Sequence, residues 1–363
     1  MTRRPAVHQF VPSFAGRDAI GHHTLQVRAL LRGLGFDSEI FVEEAHPDVR
    51  STARDVREFP AATPDRPPTW LLYQCSTYSS LGEWLLQRPE PLVLDYHNIT
   101  PVELFAPWEP LVAARLLQAR RQLAELVPRA PLGLADSAYN AGELDDLGIA
   151  RSVVAPILLD EATFAGPVDE GLVGELSGRG TAWLFVGRLA PNKAQHDVVK
   201  AFALYRRVFD PAARLWLVGG SSSDAYVRAV RGLVGSLGLE GAVRLTGSVS
   251  AASLAAYYAA ADVFVCASDH EGFCVPLLEA MHSGLPVVAY ASSAVPETLG
   301  GAGVCLPEKS PGVVAAAVWR VVSDAGLRGR LVAAGRRRLE DFAPERTRAT
   351  FATAIGALTD GVG

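Results

Sequence analysis

The stretch that decides both the fold and the candidate site is Ser268 to Glu279, which reads S-D-H-E-G-F-C-V-P-L-L-E. Gly272 has no side chain and allows a sharp turn, and Pro276 suits the first turn of a helix, where its missing N–H costs little. We therefore predict a strand, a tight turn and a helix. The first N–H groups of that helix, around Phe273, Cys274 and Val275, are then open to an anion such as a phosphate.

Two carboxylates, Glu271 and Glu279, flank this turn. A carboxylate on each side of an anion site is expected if a sugar hydroxyl lies near one and a ribose hydroxyl lies near the other. This arrangement describes a pocket for a nucleotide sugar. The alternative interpretation is an ordinary strand–loop–helix connection with two solvated glutamates, and these residues alone do not decide between the two.

Short apolar runs alternate with amphipathic helical stretches along the whole chain, which predicts parallel β/α architecture. Helices are expected at about Ala19–Leu34, capped by Asp18, and at Leu111–Leu126, stopped by Pro128. The predicted strands of the first half are Ala6–Val11, Glu39–Val42, Trp70–Gln74, Leu92–Tyr96, Leu132–Ala135 and Val153–Ala155. Those of the second half are Trp183–Val186, Leu215–Val218, Val243–Leu245, Val263–Ala267, Pro286–Ala289 and Val304–Leu306.

The periodicity is lost and Gly, Asp and Glu accumulate in Pro156–Gly180, where we place the linker between two domains. The prediction is two doubly wound, Rossmann-like domains, at residues 1–158 and 181–342, with 159–180 as the linker. A last helix at about 343–363 is expected to pack back on the first domain. Ligands bind such domains at the carboxyl ends of the strands, so two facing domains predict a deep interdomain cleft.

A second motif lies at the start of the second domain, W-L-F-V-G-R-L-A-P-N-K, Trp183 to Lys193. Gly187 allows a tight turn after the strand, and Arg188 and Lys193 follow it. The guanidinium group grips two oxygens and the ammonium group supplies a point charge, a combination that suits a diphosphate. The alternative is a pair of solvated cations, but both follow a strand end, as Glu271 does, which favours one shared crevice.

Composition narrows the class of protein. Of 363 residues, 49% are hydrophobic and 20% are charged, as in soluble globular proteins, and the net charge of −5 argues against a nucleic-acid partner. The four cysteines show no metal-binding spacing, so reduced core thiols and no metal site are expected. Arg3 and Arg4 precede a predicted strand rather than a long apolar run, so no signal peptide is expected, and a cytoplasmic location follows.

The pair G-R-L-A-P-N-K and E-G-F-C-V-P-L-L-E-A-M resembles the retaining glycosyltransferases of family four, the glycogen-synthase and sucrose-synthase-like proteins of GT-B fold. The resemblance covers essentially the whole chain. It implies that Arg188 and Lys193 neutralise the diphosphate leaving group. It also implies that Glu279 accepts hydrogen bonds from the ribose and that Glu271 faces the donor sugar, with Gly272 and the backbone of 273–275 against the sugar and phosphate.

The same resemblance assigns further residues. His97, in D-Y-H-N at the end of a first-domain strand, is expected near the donor sugar, with a loop histidine bonded to the backbone as the alternative. Ser248 and Val249 are expected to hold the base through their main chain. The loop Ser13–His23 corresponds to the glycine-rich first loop of the family. The remaining donor-side glycines are Gly21 and Gly187.

Three positions depart from the family pattern. The usual glycine pair of the first loop is Ile20-Gly21 here, and an expected Asn-Gly between the domains is Ile157-Leu158. Cys274 replaces a common glycine, so its side chain is expected to add bulk to the donor pocket and to select the sugar.

The resemblance implies transfer of a hexosyl or N-acetylhexosaminyl group, with retention, from a nucleotide sugar to a hydroxyl acceptor, without a metal or other cofactor. UDP is the first choice of nucleotide and GDP the second. A nucleotide-sugar epimerase and a non-catalytic nucleotide-sugar-binding protein are the alternatives. The acceptor is either a small natural product or a lipid-linked glycan. The helix with Arg115, Arg120 and Arg121 is either a membrane-contacting surface at the inner face or a solvated helix face.

Overall fold

The computed structural model describes residues 5–16, 19–61, 68–159, 164 and 166–359. The strands are β1 Ala6–Phe14, β2 Ile40–Ala45, β3 Arg54–Asp55, β4 Thr69–Cys75, β5 Leu92–Tyr96, β6 Leu132–Ala135, β7 Ser152–Val154, β8 Ala182–Val186, β9 Arg214–Val218, β10 Val243–Gly247, β11 Val263–Cys266, β12 Val287–Tyr290 and β13 Val304–Leu306.

The α-helices are α1 Ala19–Gly33, α2 Ser80–Leu86, α3 Val102–Phe105, α4 Pro110–Leu126, α5 Ala138–Asp146, α6 Glu170–Leu176, α7 Gln195–Val208, α8 Asp224–Ser236, α9 Ala251–Ala260, α10 Val275–His282, α11 Val295–Leu299, α12 Pro311–Ser323, α13 Ala325–Leu339 and α14 Pro344–Thr359. Short 3-10 turns lie at Arg50–Thr52, Val56–Glu58, Val127–Arg129, Pro191–Lys193 and Glu340–Phe342.

The first structural unit is built on a seven-stranded parallel sheet in the order β3-β2-β1-β4-β5-β6-β7. Strands β4 and β5 are buried along their whole length, as is expected of a parallel sheet that helices cover on both faces. Helix α14, at the end of the chain, places Phe351 and Ile355 in the same apolar cluster as Val7 of β1. This unit comprises Met1–Val102, Leu111–Asp160 and Phe342–Gly363.

The second structural unit, Glu103–Pro110 and Glu161–Asp341, carries a six-stranded parallel sheet in the order β10-β9-β8-β11-β12-β13. Strand order reverses between β8 and β11, which pair through Val263 opposite Trp183. That reversal is the topological switch point of a Rossmann-like sheet, and ligands bind such sheets in the crevice at the carboxyl ends of the two strands. The loops that follow β8 and β11 therefore border this crevice.

The predicted fold class, two doubly wound parallel-sheet units, is confirmed. Twelve predicted strands are present with ends that differ by at most three residues, and the two-residue β3 was not predicted. Helices α2, α3 and α5 were also missed, because they are short and carry few periodic apolar positions. Asp18, the predicted cap of the first helix, lies outside the described residues.

The segment predicted as a linker contains α6, whose N-cap Asp169 accepts from the N–H of Leu172. This helix packs against α9, so part of 159–180 is integral to the second unit. Glu103–Pro110, predicted to lie within the first domain, also belongs to the second unit, where Trp108 packs edge-on against Tyr226. Among the described residues, no helix has the length and apolar composition needed to cross a membrane.

Candidate functional site

The loops that follow β8 and β11 are joined by backbone hydrogen bonds. The N–H groups of Asp269 and His270 donate to the carbonyl oxygen of Asn192 over 2.8 and 3.4 Å, and the Asn192 side-chain amide donates to the His270 carbonyl over 3.3 Å. Because each loop is fixed by the other, the residues that follow these contacts, Lys193 and Glu271, are brought side by side at the switch point.

Lys193 and Glu271 form an ion pair with 2.6 Å between Nζ and Oε2. The Glu271 side chain is 7% exposed and that of Lys193 is 20% exposed. Burial alone would lower the pKa of Lys193, but the carboxylate of Glu271 outweighs it, so the pKa of Lys193 is raised and the ammonium stays charged. An ammonium group has three donors, so this contact leaves two that can address an anion.

The loop carrying Glu271 is fixed from behind by the loop after β12. The Glu271 N–H donates to Ser293 Oγ over 2.7 Å, and the Ala294 N–H donates to the Glu271 carbonyl over 3.3 Å. Thr298 Oγ1 donates to the Phe273 carbonyl over 2.5 Å. Ser293 has a φ of +43°, an uncommon conformation for a residue with a Cβ, and such strain persists only where the surroundings impose it.

Cys274 is the N-cap of α10 and has a φ of +74°, in the left-handed region. Glycine adopts this conformation without strain, whereas a residue with a Cβ adopts it at a cost in free energy. The Cys274 side chain is buried. Its Sγ, the Sγ of Cys266 and a Glu271 carboxylate oxygen all lie within 4.8 Å of one another.

The two thiols differ in acidity because each acts on the other. The neighbouring Cys274 thiol lowers the pKa of Cys266, whereas the contact with Cys266, together with burial, raises the pKa of Cys274. The sequence interpretation, four unconnected core thiols, missed this proximity because eight residues separate the two cysteines.

Glu279 lies on the first turns of α10, where Tyr258 Oη donates to its Oε2 over 2.7 Å. Burial raises the pKa of Glu279, and the hydrogen bond from Tyr258 lowers it in part. Tyr258 occupies one carboxylate oxygen and fixes the rotamer of the side chain. The sequence interpretation did not identify Tyr258, since it belongs to α9 and lies 21 residues away.

Arg188 follows Gly187 at the end of β8, and its side chain is exposed. Its carbonyl oxygen accepts from Gln195 Nε2 over 2.8 Å. Gly219, after β9, packs directly against the backbone of Gly187. A Cβ on Gly219 would lie 2.2 Å from the Gly187 carbonyl oxygen. A Cβ on Gly220 would likewise meet Ser248 Oγ at 2.6 Å, so Ser248 and the adjoining Val249 lie at the same edge of the sheet.

Lys309 supports the loop after β11 from its other side. Its ammonium group pairs with Asp269 at 2.5 Å and with Asp197 of α7 at 2.8 Å, and it donates to the Ala267 carbonyl over 3.3 Å. The sequence interpretation gave this lysine no role. Its position after β13, at the same sheet edge as the other loops, is the signal that would have found it.

In the first unit, His97 follows β5 and its ring is 1% exposed. His97 Nδ1 lies 3.0 and 3.1 Å from the two carboxylate oxygens of Asp136, which follows β6. His97 Nε2 lies 2.5 Å from Gln74 Oε1, at the end of β4. The structure therefore engages both ring nitrogens inside this unit. Gly21, the other site residue expected in this unit, lies buried in α1.

A backbone carbonyl fixes the direction of these hydrogen bonds. Gln9 Nε2 donates to the Thr24 carbonyl over 3.0 Å, so Gln9 Oε1 is an acceptor and Gln74 Nε2 donates to it over 3.1 Å. Gln74 Oε1 then faces His97 as an acceptor, and His97 Nε2 must carry a proton. His97 Nδ1 faces a carboxylate, so a further proton lies between His97 and Asp136.

A second buried pair lies beside this one. The Leu158 N–H donates to His23 Nδ1 over 2.8 Å, so His23 carries its proton on Nε2 and donates it to Asp95 Oδ2 over 2.9 Å. Burial alone would raise the pKa of Asp95, but His23 and His97 outweigh it and the pKa is lowered. His23, Asp95 and His97 come within 4.8 Å of one another. The tautomer of His23 leaves no lone pair on Nε2 for a metal, so this cluster is a hydrogen-bond network.

The structure thus brings together Lys193, Glu271 and the following residues Gly272, Phe273, Cys274 and Val275, with Glu279 on the same helix. Sequence reasoning missed Tyr258 and Lys309 in the second unit. In the first unit it missed Gln74, near the end of β4, and Asp136, directly after β6, although these two strands flank β5 and so share the sheet edge of His97.

Comparison with known proteins gives a match to the "Glycosyl transferases group 1" family over residues 180–324. One relative is the D-inositol 3-phosphate glycosyltransferase of Kineococcus radiotolerans, 34% identical over 276 residues. That alignment covers 69% of this chain and 62% of the relative, so the chain matches less than two thirds of the relative's length.

Two solved structures share the fold over nearly the full chain. Sucrose-phosphate synthase from Thermosynechococcus elongatus superposes with a TM-score of 0.77 at 20% identity, covering 99% of this chain and 100% of that one. Anabaena Alr3699/HepE in complex with UDP and glucose gives a TM-score of 0.76 at 16% identity, covering 97% and 100%. At these identities the likeness establishes the GT-B fold.

Proposed function

We propose that the protein transfers a hexosyl or N-acetylhexosaminyl group from a nucleoside diphosphate sugar to a hydroxyl acceptor, because residues 180–324 match the glycosyl transferases group 1 family. The observation that carries the proposal is the Lys193–Glu271 pair, held at the switch point between β8 and β11. A cation and a carboxylate fixed together at such a crevice match a substrate that has both a diphosphate and sugar hydroxyls.

The proposed role of Lys193 is to stabilise the departing diphosphate. Two of its N–H donors remain after the contact with Glu271, and its raised pKa keeps them charged. Arg188, on the same loop, adds an exposed guanidinium fork, and the N-terminus of α10 adds backbone N–H groups. Positive groups already in place where negative charge develops give the largest part of such catalysis.

Glu279 is proposed to bind the ribose of the nucleotide. Tyr258 holds one of its carboxylate oxygens, and the other is proposed to accept from the ribose hydroxyls. Glu271 is proposed to accept from hydroxyls of the donor sugar, in the orientation that Lys193 and Ser293 impose. UDP is the first choice of nucleotide and GDP the second.

Retention of the anomeric configuration is proposed to occur by same-face displacement. Retaining glycosidases use a free carboxylate as the nucleophile, with a second about 5 Å away. Glu271 is engaged by an ammonium group at 2.6 Å, which lowers its nucleophilicity. The bond between the anomeric carbon and the diphosphate is therefore proposed to break first. The acceptor oxygen then bonds to the anomeric carbon on the same face, and its proton passes to an oxygen of the departing diphosphate. Arg188 and Lys193 supply the positive charge, so the reaction is proposed to need no metal.

The acceptor is proposed to be a small polar molecule or a lipid-linked glycan that carries a free hydroxyl. The named relative acts on D-inositol 3-phosphate according to its name, which supports a small hydroxylated acceptor. A cytoplasmic location is proposed, because nucleotide sugars are made there.

Thermal unfolding in the presence of nucleotides tests the proposal. UDP, GDP, dTDP and ADP, each with and without its sugar, are compared in the wild type and in Glu279→Ala. One nucleotide should raise the unfolding temperature by several degrees in the wild type and by much less in the variant. No protection by any nucleotide would contradict the proposal. Incubation with the protecting nucleotide sugar alone, followed by analysis for an epimerised sugar, distinguishes a transferase from an epimerase.

A further inference from the structure

The strongest unassigned feature of the second unit is the cluster of Cys266, Cys274 and Glu271. One donor atom from each lies within 4.8 Å of the other two, and all three residues are buried. Cys266 ends β11, and Cys274 precedes α10, so two rigid elements set their positions. The nucleotide-sugar reaction proposed above uses Glu271 but neither sulfur atom.

Cys274 is maintained at an energetic cost. A residue with a Cβ at a φ of +74° is strained by about 1 kcal/mol relative to glycine, which would occupy this position freely. Its Sγ lies next to a second thiol and a carboxylate rather than in a wholly apolar pocket. A side chain retained in a strained backbone and directed at two further donor groups indicates a role for its sulfur.

The donor set matches one class of ligand. Two thiolates and a carboxylate are the ligands that Zn²⁺ and related thiophilic cations prefer, and Mg²⁺ and Ca²⁺ avoid thiolates. Zinc–sulfur and zinc–oxygen bonds of about 2.3 and 2.0 Å require donor atoms roughly 3.5 to 4 Å apart. The observed cluster therefore needs only small side-chain movements, with water as the fourth ligand.

The surroundings also balance the charge. Two thiolates and one carboxylate carry three negative charges, and a divalent cation leaves a net charge of −1. The Lys193 ammonium group, 2.6 Å from Glu271 Oε2, neutralises that remainder. A low-dielectric site requires such a balance, because an unpaired buried charge is costly.

We propose that Cys266, Cys274 and Glu271 form a site for one thiophilic divalent cation, such as Zn²⁺. The cation forms one bond to each thiolate sulfur and one to Glu271 Oε1, and the two thiol protons pass to solvent. No electron is transferred, so no oxidant or reductant is required. On the basis of the proposed function, an occupied site ties Glu271 to the metal and weakens binding of the donor, so the cation acts as an inhibitor.

The site is tested with Cd²⁺, which gives an ultraviolet charge-transfer band when thiolates bind it. Fully reduced protein, freed of metal and kept in a phosphine reductant, is titrated with CdCl₂. The expected result is a saturable band with one Cd²⁺ per chain, which Zn²⁺ displaces. Absence of a band in the reduced protein would overturn the proposal.

Matched cysteine variants identify the ligands. Cys266→Ser and Cys274→Gly should each lose most of the band, and the glycine relieves strain, so at least one of these variants should fold well. Cys305→Ser removes an exposed cysteine outside the cluster and should titrate like the wild type. Glu271→Gln should keep the band but bind Cd²⁺ about tenfold or more weakly. A band unchanged in Cys266→Ser, or lost in Cys305→Ser, would overturn the assignment.

The functional consequence has a separate measurement. One equivalent of Cd²⁺ should abolish thermal protection by the nucleotide sugar in the wild type and leave it intact in Cys266→Ser. If no nucleotide protects the protein even without metal, the proposed function fails while the charge-transfer band still decides the metal site. If the band forms but protection survives, the inhibitory consequence is wrong.

Discussion

Replacement of Asp136 tests the proton arrangement around His97 most directly. The chain of hydrogen bonds from the Thr24 carbonyl through Gln9 and Gln74 requires His97 Nε2 to be a donor. His97 Nδ1 faces the Asp136 carboxylate at 3.0 Å, so the pair must hold one proton more than a neutral imidazole and a free carboxylate. Burial raises the pKa of Asp136, with His97 opposing in part, and this agrees with a proton retained by the pair.

Two substitutions with nearly the same geometry are expected to differ sharply. In Asp136→Asn the side-chain NH₂ can donate to an unprotonated His97 Nδ1, so the hydrogen bond between the two residues persists. Only its charge-assisted strength is lost, and the free energy of unfolding should fall by about 1 kcal/mol. In Asp136→Ala the buried Nδ1 has lost its partner and a small cavity is left. We expect a loss of about 3 kcal/mol or more in the free energy of unfolding. Asp146→Asn, at an exposed position of α5, should change stability by less than about 0.5 kcal/mol.

The dependence on pH has a definite sign. A group whose pKa is raised in the folded state contributes stability that is present at low pH and is lost as pH rises through the folded value. The extra proton of the His97–Asp136 pair is absent from the unfolded chain above about pH 6.5, the ordinary value for histidine. Wild-type stability should therefore decrease above that pH by up to about 1.4 kcal/mol per unit, and the difference from Asp136→Asn should narrow.

Urea denaturation at pH 6, 7 and 8 gives the free energies, and long-range ¹H–¹⁵N correlation spectra give the protonation of the imidazole. The wild-type spectrum should show a protonated Nε2 in His97, and Asp136→Asn should show a protonated Nε2 together with an unprotonated Nδ1. The reasoning is refuted if Asp136→Asn is as destabilising as Asp136→Ala, or if the wild-type His97 ring shows an unprotonated Nε2.

Three further outcomes are expected. Lys193→Ala and Arg188→Ala should each lower turnover about 100-fold, while circular dichroism shows an intact fold. Full activity in either variant would contradict the proposed stabilisation of the leaving group. Glu279→Ala should weaken nucleotide binding about tenfold by calorimetry, and an unchanged affinity would exclude the ribose role. Gly219→Ala should lower the free energy of unfolding by about 2 kcal/mol or more, because its Cβ would lie 2.2 Å from a backbone oxygen at a φ of +142°. Gly232→Ala, in the open middle of α8, should stabilise the protein by about 0.5 to 1 kcal/mol, and equal effects of the two would contradict the steric argument.

The donor-side motifs were predictable because they are local. A turn glycine, a helix-starting proline and the residues between them act within a few positions of one another, so Ser268–Glu279 predicts its own strand–turn–helix geometry. The location of Lys193 near Glu271 also followed from the sequence, since both residues come directly after strands of one parallel sheet. No local pattern indicated the residues that hold these groups in place. Tyr258 donates a hydrogen bond to Glu279, and Asn192 links the loop after β8 to the loop after β11.

The amino-acid sequence by itself determined the alternation of strands and helices, the two doubly wound units and the carboxyl ends at which the charged residues lie. These features follow from hydrophobic periodicity, which is written residue by residue. Only the tertiary structure decided that Cys274 adopts a left-handed backbone beside Cys266, and that His97 is bonded through both ring nitrogens to Asp136 and Gln74. The first depends on how the loop between β11 and α10 folds back on the end of its own strand. The second depends on side chains at the ends of three neighbouring strands meeting at one sheet edge, a proximity that is set by strand order and is not recorded in the spacing along the chain.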